Sequence, residues 1–424
     1  MYDSYLLDLL EHATSPWHSQ EKILNSLLKC PNASFTNYSL HNEDFFNPKK
    51  NLMPQGVLAS SEKDALIAWS LPKTSKSHVK IWASHLDSPT LKLKPKGVLK
   101  ECGSYLFALE PYGSPILSTW MNQSLFLSGR VMIRHKEQVL IHTLELKQCP
   151  FVIEPLAIHL NRGEPSKNLE KINPQNELRA LVCPMDLSTS GINGQCPHYC
   201  PLIATIATEL KLEPHSFQLL AHDLFASPYH PTTKLYNDEY LLSARIDNLV
   251  SASAMAEELM LRAPQQEDSI IAIWTNHEEI GSNSGTGAQS GFFQSVVNQL
   301  LSHFHLTNPV IYSIDGAHGQ HPNYSKQSEP EHAPILGQGP VIKHNTNGRY
   351  RRDFEALKRL CLEQKGTYQE FSMRSDMPCG STVGPILSAS LGISCLDMGI
   401  AQLGMHAMRE LCSIRDYETL KKLI

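Results

Sequence analysis

Ser269-Ile270-Ile271-Ala272-Ile273-Trp274-Thr275-Asn276-His277-Glu278-Glu279-Ile280-Gly281-Ser282 decides how this chain is read. The apolar run over 269–275 predicts a strand. It stops at two adjacent glutamates followed by a glycine-rich turn (Gly281, Gly285, Gly287). The alternation continues on both sides, with helices expected over 247–262, 288–304 and 351–364 and a further strand over 309–314. Strands alternating with helices imply a mixed or parallel sheet covered by helices. Nearer the N-terminus, Leu6, Leu7, Leu9 and Leu10, then Ile23, Leu24, Leu27 and Leu28, carry helical spacing on either side of Ser15-Pro16. Strands are expected over 64–70 and 78–84.

From about residue 95 to 160 the texture changes to short apolar runs separated by Gly and Pro, such as Ser104–Leu109, Ser124–Leu127 and Arg130–Arg134. That texture predicts an all-β module. Residues 161–200 are rich in Asn, Pro, Gly and Ser and read as a long loop. Cys196-Pro197-His198-Tyr199-Cys200 within it offers three ligands at cramped spacing, and an ordinary loop is the preferred reading. The expected architecture is therefore α/β. A discontinuous mixed-sheet domain over 1–94 and 236–424 is interrupted by a β-rich domain over 95–235.

Composition narrows the function classes. The chain has 424 residues, 41% apolar and 19% charged, with 37 basic against 42 acidic side chains and a net charge of −5. That balance argues against a nucleic-acid partner, which would demand a basic excess. No apolar run approaches the roughly 18 residues of a membrane span. The start Met1-Tyr2-Asp3-Ser4-Tyr5 lacks the pattern of a signal peptide, and ten cysteines are too sparse for a disulfide scaffold. A cytoplasmic, globular protein is expected.

Candidate chemistry collects where predicted strands end, the place where open α/β sheets bind ligands. His85 and Asp87 follow the strand over 78–84, and a carboxylate beside a ligating histidine sets its tautomer and basicity. Asp247 opens a small-residue helix, a position that an ordinary first-turn acid also favours. Glu278 and Glu279 repel each other unless a positive charge sits beside them. A metal would supply it, with one Glu as ligand and the other as general base. Asp315 ends the strand over 309–314, and His406 lies between Met405 and Met408. Together His85, Asp247, Glu279, Asp315 and His406 suit a pair of zinc-like divalent ions with open positions for water.

The sequence resembles the M18 metallopeptidase family, of the aspartyl aminopeptidase type, over nearly its whole length. The resemblance rests on Ser15-Pro16-Trp17-His18, His85-Leu86-Asp87-Ser88-Pro89, Leu91-Lys92-Leu93-Lys94-Pro95 and Arg245-Ile246-Asp247-Asn248-Leu249. It extends through Glu278-Glu279-Ile280-Gly281-Ser282, Asp315 with Ala317-His318, His321-Pro322-Asn323-Tyr324 and Gly339-Pro340-Val341-Ile342-Lys343. The runs Asp376–Thr382 and Met405–Glu410 complete it. It implies a zinc-peptidase-like catalytic domain and a β-rich dimerisation domain.

By the same resemblance, His85, Asp247 and Asp315 hold one ion, Asp247, Glu279 and His406 the other, and Glu278 is the base, with Asp87 among the catalytic residues. Ala157-Ile158-His159-Leu160-Asn161-Arg162 resembles a family motif whose histidine reaches a partner subunit's site, so His159 is expected to contact substrate. Members assemble into tetrahedral dodecamers built from dimers. One stretch departs: a TWFDRDL-like run is Thr119-Trp120-Met121-Asn122-Gln123-Ser124-Leu125 here.

The expected activity is removal of N-terminal, acidic residues from peptides, with Lys343 as pocket cation and His321 beside it. Two rivals are an amide hydrolase of other specificity (a deacylase or carboxypeptidase) and a non-catalytic shell protein, against which Glu278 speaks.

Overall fold

A computed structural model of the chain describes residues 3–40, 45, 52–71, 78–160, 172–185, 200–262, 269–363 and 368–424. They form two compact units, one of Met1–Ser88, Thr232–Met405 and Glu410–Ile424, the other of Pro89–Pro231 and His406–Arg409. The fold is mixed α/β. Among the described residues, no helix is long and apolar enough to cross a membrane.

The first unit is organised by the run quoted at the outset. Ser269–Thr275 is a strand buried at every residue. Its side chains alternate between two cores, as a pleated strand dictates. Ile270, Ala272 and Trp274 enter a cluster with Leu9, Ile23, Leu249 and Met255, from the helices Asp3–His12, Pro16–Lys29 and Ile246–Leu261. Ile271 and Ile273 enter another with Phe293, Val297 and Leu387, from the helices Gly291–His303 and Val383–Leu391. A strand covered on both faces reads as a continuous apolar run, which is why this stretch carries no polar alternation.

Ser269–Thr275 lies beside His78–His85, which lies beside Thr307–Ile314, which lies beside Cys395–Gly399, all pairings parallel. Antiparallel neighbours extend the sheet on both sides, beginning with Leu66–Ser70 and Val341–His344. In register, Thr275 stands opposite His85 and Ser313 opposite Ala83. The carboxyl ends of the parallel strands therefore finish level along one edge, where the chain turns into His85-Leu86-Asp87, Asn276–Glu279 and Asp315. Trp82 stacks on Tyr312 at 4.5 Å between these strands, which helps to hold that register.

The second unit is a six-stranded antiparallel sheet among the described residues, with a core that includes Leu93, Phe107, Leu127, Ile133 and Leu224. Gly129 sits where a Cβ would fall 2.0 Å from the Asp223 carbonyl oxygen, with φ at +146°, so only glycine fits there. Trp120, in the departing segment, is buried in this unit, and Asn122 N–H donates to Ile153 O at 2.8 Å.

Several expectations need correction. The strand Thr90–Glu101 belongs to the second unit from its start, so the break falls after Ser88 rather than at 94. The return comes at Thr232 rather than 236, because Thr233–Leu235 pairs with Tyr240–Ser243 in the first unit. Residues 161–200 are not all loop. Asn173 caps the short helix Pro174–Glu177, and Arg179–Pro184 pairs with Ser104–Tyr112 at the sheet edge. An edge strand of six residues shows too little alternation to stand out. Residues 196–199 of the cysteine-bounded stretch lie outside the described residues, while Cys200 precedes the helix Pro201–Leu210. The helix expected from 351 begins at Phe354, because Arg351 and Arg352 instead bond the strand Cys395–Gly399.

That strand carries a buried carboxyl whose ionisation the fold resists. Burial pushes Asp397 up to about 6, although Arg351 N–H and Thr382 Oγ1 donate to it and Lys343 attracts it. The folded chain holds this proton more tightly than the unfolded chain. The group's contribution to stability is therefore full below about pH 4 and is lost as the pH rises through about 6, a change of about 3 kcal/mol. Asp397→Asn should remove this component. Urea unfolding between pH 4 and 7 should show a flatter stability profile than wild type, and an unchanged profile would mean that the carboxyl is ionised throughout.

Candidate metal centre

His85 ends its strand with the ring buried, 1% exposed. Its Nδ1 lies 3.0 Å from the Asp87 carbonyl oxygen, and a carbonyl only accepts, so Nδ1 carries the proton. Nε2 then faces Asp247 Oδ1 at 3.4 Å and Asp315 Oδ1 at 3.5 Å.

Both aspartates are fixed through their backbones. Asp247 N–H donates to Glu410 Oε2 at 2.8 Å, and Asp247 O accepts from Ser88 Oγ at 2.7 Å. Asn248 Nδ2 donates to Ile314 O at 2.9 Å, tying the head of the helix to the strand that leads into Asp315. The Asp247–Asn248 peptide is cis. Asp315 N–H donates to Met398 O at 2.9 Å, an approach that Gly399 permits, since a Cβ there would lie 1.7 Å from Asp315 O.

Glu278 and Glu279 follow Thr275 through a tight turn in which His277 and Gly281 adopt left-handed φ of 59° and 96°. Asp87 holds that turn. Its Oδ1 accepts from Glu278 N–H at 3.1 Å and its Oδ2 from Glu279 N–H at 3.2 Å. Its Oδ1 also lies 3.4 Å from His85 Nδ1. Asp87 thus touches the imidazole and the backbone of both glutamates at once.

The electrostatics are severe. Burial, with the charges of Asp315, Asp87 and Asp247, pushes Glu278 up to about 8, against a smaller pull from His85. Burial and the charges of Asp247 and Glu278 hold Glu279 well above the usual carboxylate range. Burial alone would lower His85, but hydrogen bonding to Asp247, Asp315 and Asp87 outweighs it and raises the imidazole well above its ordinary value. Without a cation, this cluster keeps protons it would otherwise shed.

The donors suit a divalent ion. One ligand atom each from His85, Asp247 and Asp315 lies within 4.8 Å of the others, as do atoms from His85, Glu278 and Glu279. The two Nε2–oxygen distances above match the edge of about 3.3–3.4 Å between donors set tetrahedrally at about 2.0–2.1 Å from one ion. Nitrogen and carboxylate donors without thiolates fit zinc.

Lys343 is the other charge in this unit's cluster. It is 1% exposed, its Nζ lies 3.7 Å from Asp315 Oδ2, and it sits over the Tyr350 ring at 5.1 Å. His321 is tied to its own turn, where Nδ1 accepts from Asn323 N–H at 3.2 Å and the ring meets Tyr324 at 4.9 Å. Two expected residues belong to the second unit. His406 has a left-handed φ of 68°, and its Nδ1 lies 3.1 Å from Ser114 O. His159 is exposed on the single helical turn Ile158–Leu160. Sequence reading assigned no role to Glu410, Ser88, Asn248 or Tyr350. Three of them lie inside the quoted runs, but a bond to a backbone atom 159 residues away leaves no local pattern.

The family model described as aminopeptidase I zinc metalloprotease (M18) matches residues 9–424. A probable M18 family aminopeptidase 2 of Ectopseudomonas mendocina is 34% identical over 375 residues, covering 85% of this chain and 84% of the relative. Among solved structures, a chain of the Ape4 and Nbr1 complex determined by cryo-electron microscopy superposes with a TM-score of 0.88. It is 28% identical, covering 100% of this chain and 84% of its own. The mApe1 dodecamer of S. cerevisiae superposes with a TM-score of 0.76 at 20% identity, covering 100% and 94%. With a sequence match along nearly its full length and a buried site of imidazole and carboxylates to go with it, this chain belongs to the M18 family of zinc metallo-aminopeptidases.

Proposed function

We propose that this metallo-aminopeptidase removes acidic N-terminal residues from peptides, with two zinc ions and Glu278 as general base. The observation that carries the reading is the cluster of His85, Asp247, Glu279 and Asp315 at one sheet edge, with Glu278 held beside it by Asp87. His85, Asp247 and Asp315 would hold one ion, and Asp247, Glu279 and His406 the other, with Asp247 bridging. Such a pair supplies a more acidic water and a polarised scissile carbonyl. Glu278 takes the proton of the attacking water and returns it to the leaving amine. Asp87 keeps Glu278 in reach by holding its backbone, and the Nδ1–H bond of His85 directs Nε2 inward.

Acidic selectivity is assigned to Lys343. An ammonium buried beside carboxylates is a fixed positive charge, and a substrate carboxylate entering this acid-rich site needs one. Its proximity to Asp315 favours a second reading, in which Lys343 orients that ligand and reads no substrate. The second unit is proposed to mediate dimers within a tetrahedral dodecamer, with His159 contacting substrate in a partner's site. The dodecamer formed by the S. cerevisiae neighbour supports this.

Glu278→Gln should retain zinc and fold while kcat falls by about 100- to 10,000-fold, since a neutral amide keeps the shape but takes no proton. Near-normal turnover at full zinc content would remove Glu278 from the mechanism. Lys343→Met should lower kcat/KM for Asp and Glu substrates by about 10- to 150-fold, the worth of a charge-assisted contact, and leave Leu and Ala substrates nearly unchanged. A parallel loss on all substrates would favour the second reading of Lys343. Mixing Glu278→Gln subunits with His159→Ala subunits should restore partial activity. No recovery despite proven subunit exchange would place His159 outside a partner's site.

A further inference from the structure

The turn Ser60–Ala65 joins the strands Gln55–Ala59 and Leu66–Ser70 and contains the carboxylate of Asp64, whose Oδ1 accepts from Ser60 Oγ at 3.0 Å. Ser60 Oγ accepts from Asp64 N–H at 3.3 Å and from Ala65 N–H at 3.2 Å, and Ser60 N–H donates to Ala65 O at 3.0 Å. With Lys63 at a left-handed φ of 54°, the turn is closed by serine and backbone. Yet Asp64 is 2% exposed, and a buried carboxylate carries a desolvation cost that an apolar residue would avoid.

Its second oxygen points elsewhere. Asp64 Oδ2 accepts from Asn276 Nδ2 at 2.8 Å and from Thr286 Oγ1 at 3.2 Å. The sheet register explains the meeting: Leu66 stands opposite Trp274 in an antiparallel pair, so two residues further out Asp64 meets Asn276. Asn276 and Thr286 are the two ends of the loop that carries Glu278 and Glu279. They also bond each other, Asn276 N–H to Thr286 O at 3.0 Å, and Asn276 Oδ1 accepts from His277 N–H at 2.9 Å. Inside the loop, Ser284 Oγ meets His277 Nδ1 at 2.7 Å and accepts from Gly287 N–H at 2.9 Å.

We infer that Asp64 is a positioning residue for catalysis, pinning both ends of the Asn276–Thr286 loop so that Glu278 and Glu279 stand in register with Asp87. The inference rests on the base role proposed for Glu278. Asp87 grips the loop at Glu278 and Glu279, and Asp64 grips it at its two ends. Releasing the base leaves the Glu278 carboxylate present but loosely placed, and misplacement on the ångström scale costs about 100-fold in rate.

The test compares Asp64→Ala, Asp64→Asn and Ser60→Ala in the full-length, zinc-loaded protein. Asp64→Ala should lower kcat by about 10- to 100-fold with KM little changed, and should speed hydrogen exchange at the Glu278 and Glu279 amides. Asp64→Asn keeps an acceptor oxygen for Asn276 and Thr286 and should recover most of the lost kcat. Ser60→Ala, which loosens the hairpin and frees Asp64 Oδ1 but leaves the Oδ2 bonds to Asn276 and Thr286 in place, should lower thermal stability and spare most of kcat. Unchanged kcat and exchange in Asp64→Ala, while Glu278→Gln alone is inactive, would overturn the inference and leave the base assignment standing. An active Glu278→Gln would overturn both.

Discussion

Five acidic side chains and one imidazole crowd a single buried edge of this protein, and much of its catalytic unit can be understood as the means of keeping them there. Asp87, Asp247, Glu278, Glu279 and Asp315 would separate if left to solvent. What prevents it is backbone. The parallel strands end level because their register aligns Thr275 with His85 and Ser313 with Ala83. Residues just beyond those ends have no room to diverge.

The acids divide into two kinds of work. On the proposed reading Asp247, Glu279 and Asp315 would present oxygens toward a cation, while Asp87 and Glu410 accept from the backbone N–H groups of Glu278, Glu279 and Asp247, and Asp64 accepts from the side chains of Asn276 and Thr286. Each of these acceptors spans a gap between segments distant in sequence: Asp64 joins a hairpin turn to the glutamate loop, and Glu410 joins the C-terminal region to the head of a helix.

Much of the site could be read before any coordinates, for a physical reason. Where an apolar strand stops abruptly at a polar or acidic residue, as at Ala83-Ser84-His85 or Ile314-Asp315, the sequence marks both the end of a buried element and the start of a functional edge. Asp247 stood out through its neighbours Arg245 and Asn248. The supporting residues stayed hidden because their partners are backbone atoms far away in the chain. Asp64 falls at the start of the expected strand over 64–70 with no local signal of its own, and the register with Asn276 reveals its use. The edge strand Arg179–Pro184 was taken for loop since it is short and flanked by proline and asparagine. The domain break was set six residues late because Leu91-Lys92-Leu93-Lys94 alternates like the strands before it, and alternation does not say which sheet a strand joins.

The central claim is that these acids are neutralised by two divalent ions bridged through Asp247. Zinc content per chain, measured by elemental analysis after exhaustive dialysis against zinc-free buffer, tests it most directly. The account predicts two equivalents in the wild-type protein and loss of both in Asp247→Ala. A single equivalent in wild type, or loss of only one in the variant, would contradict it.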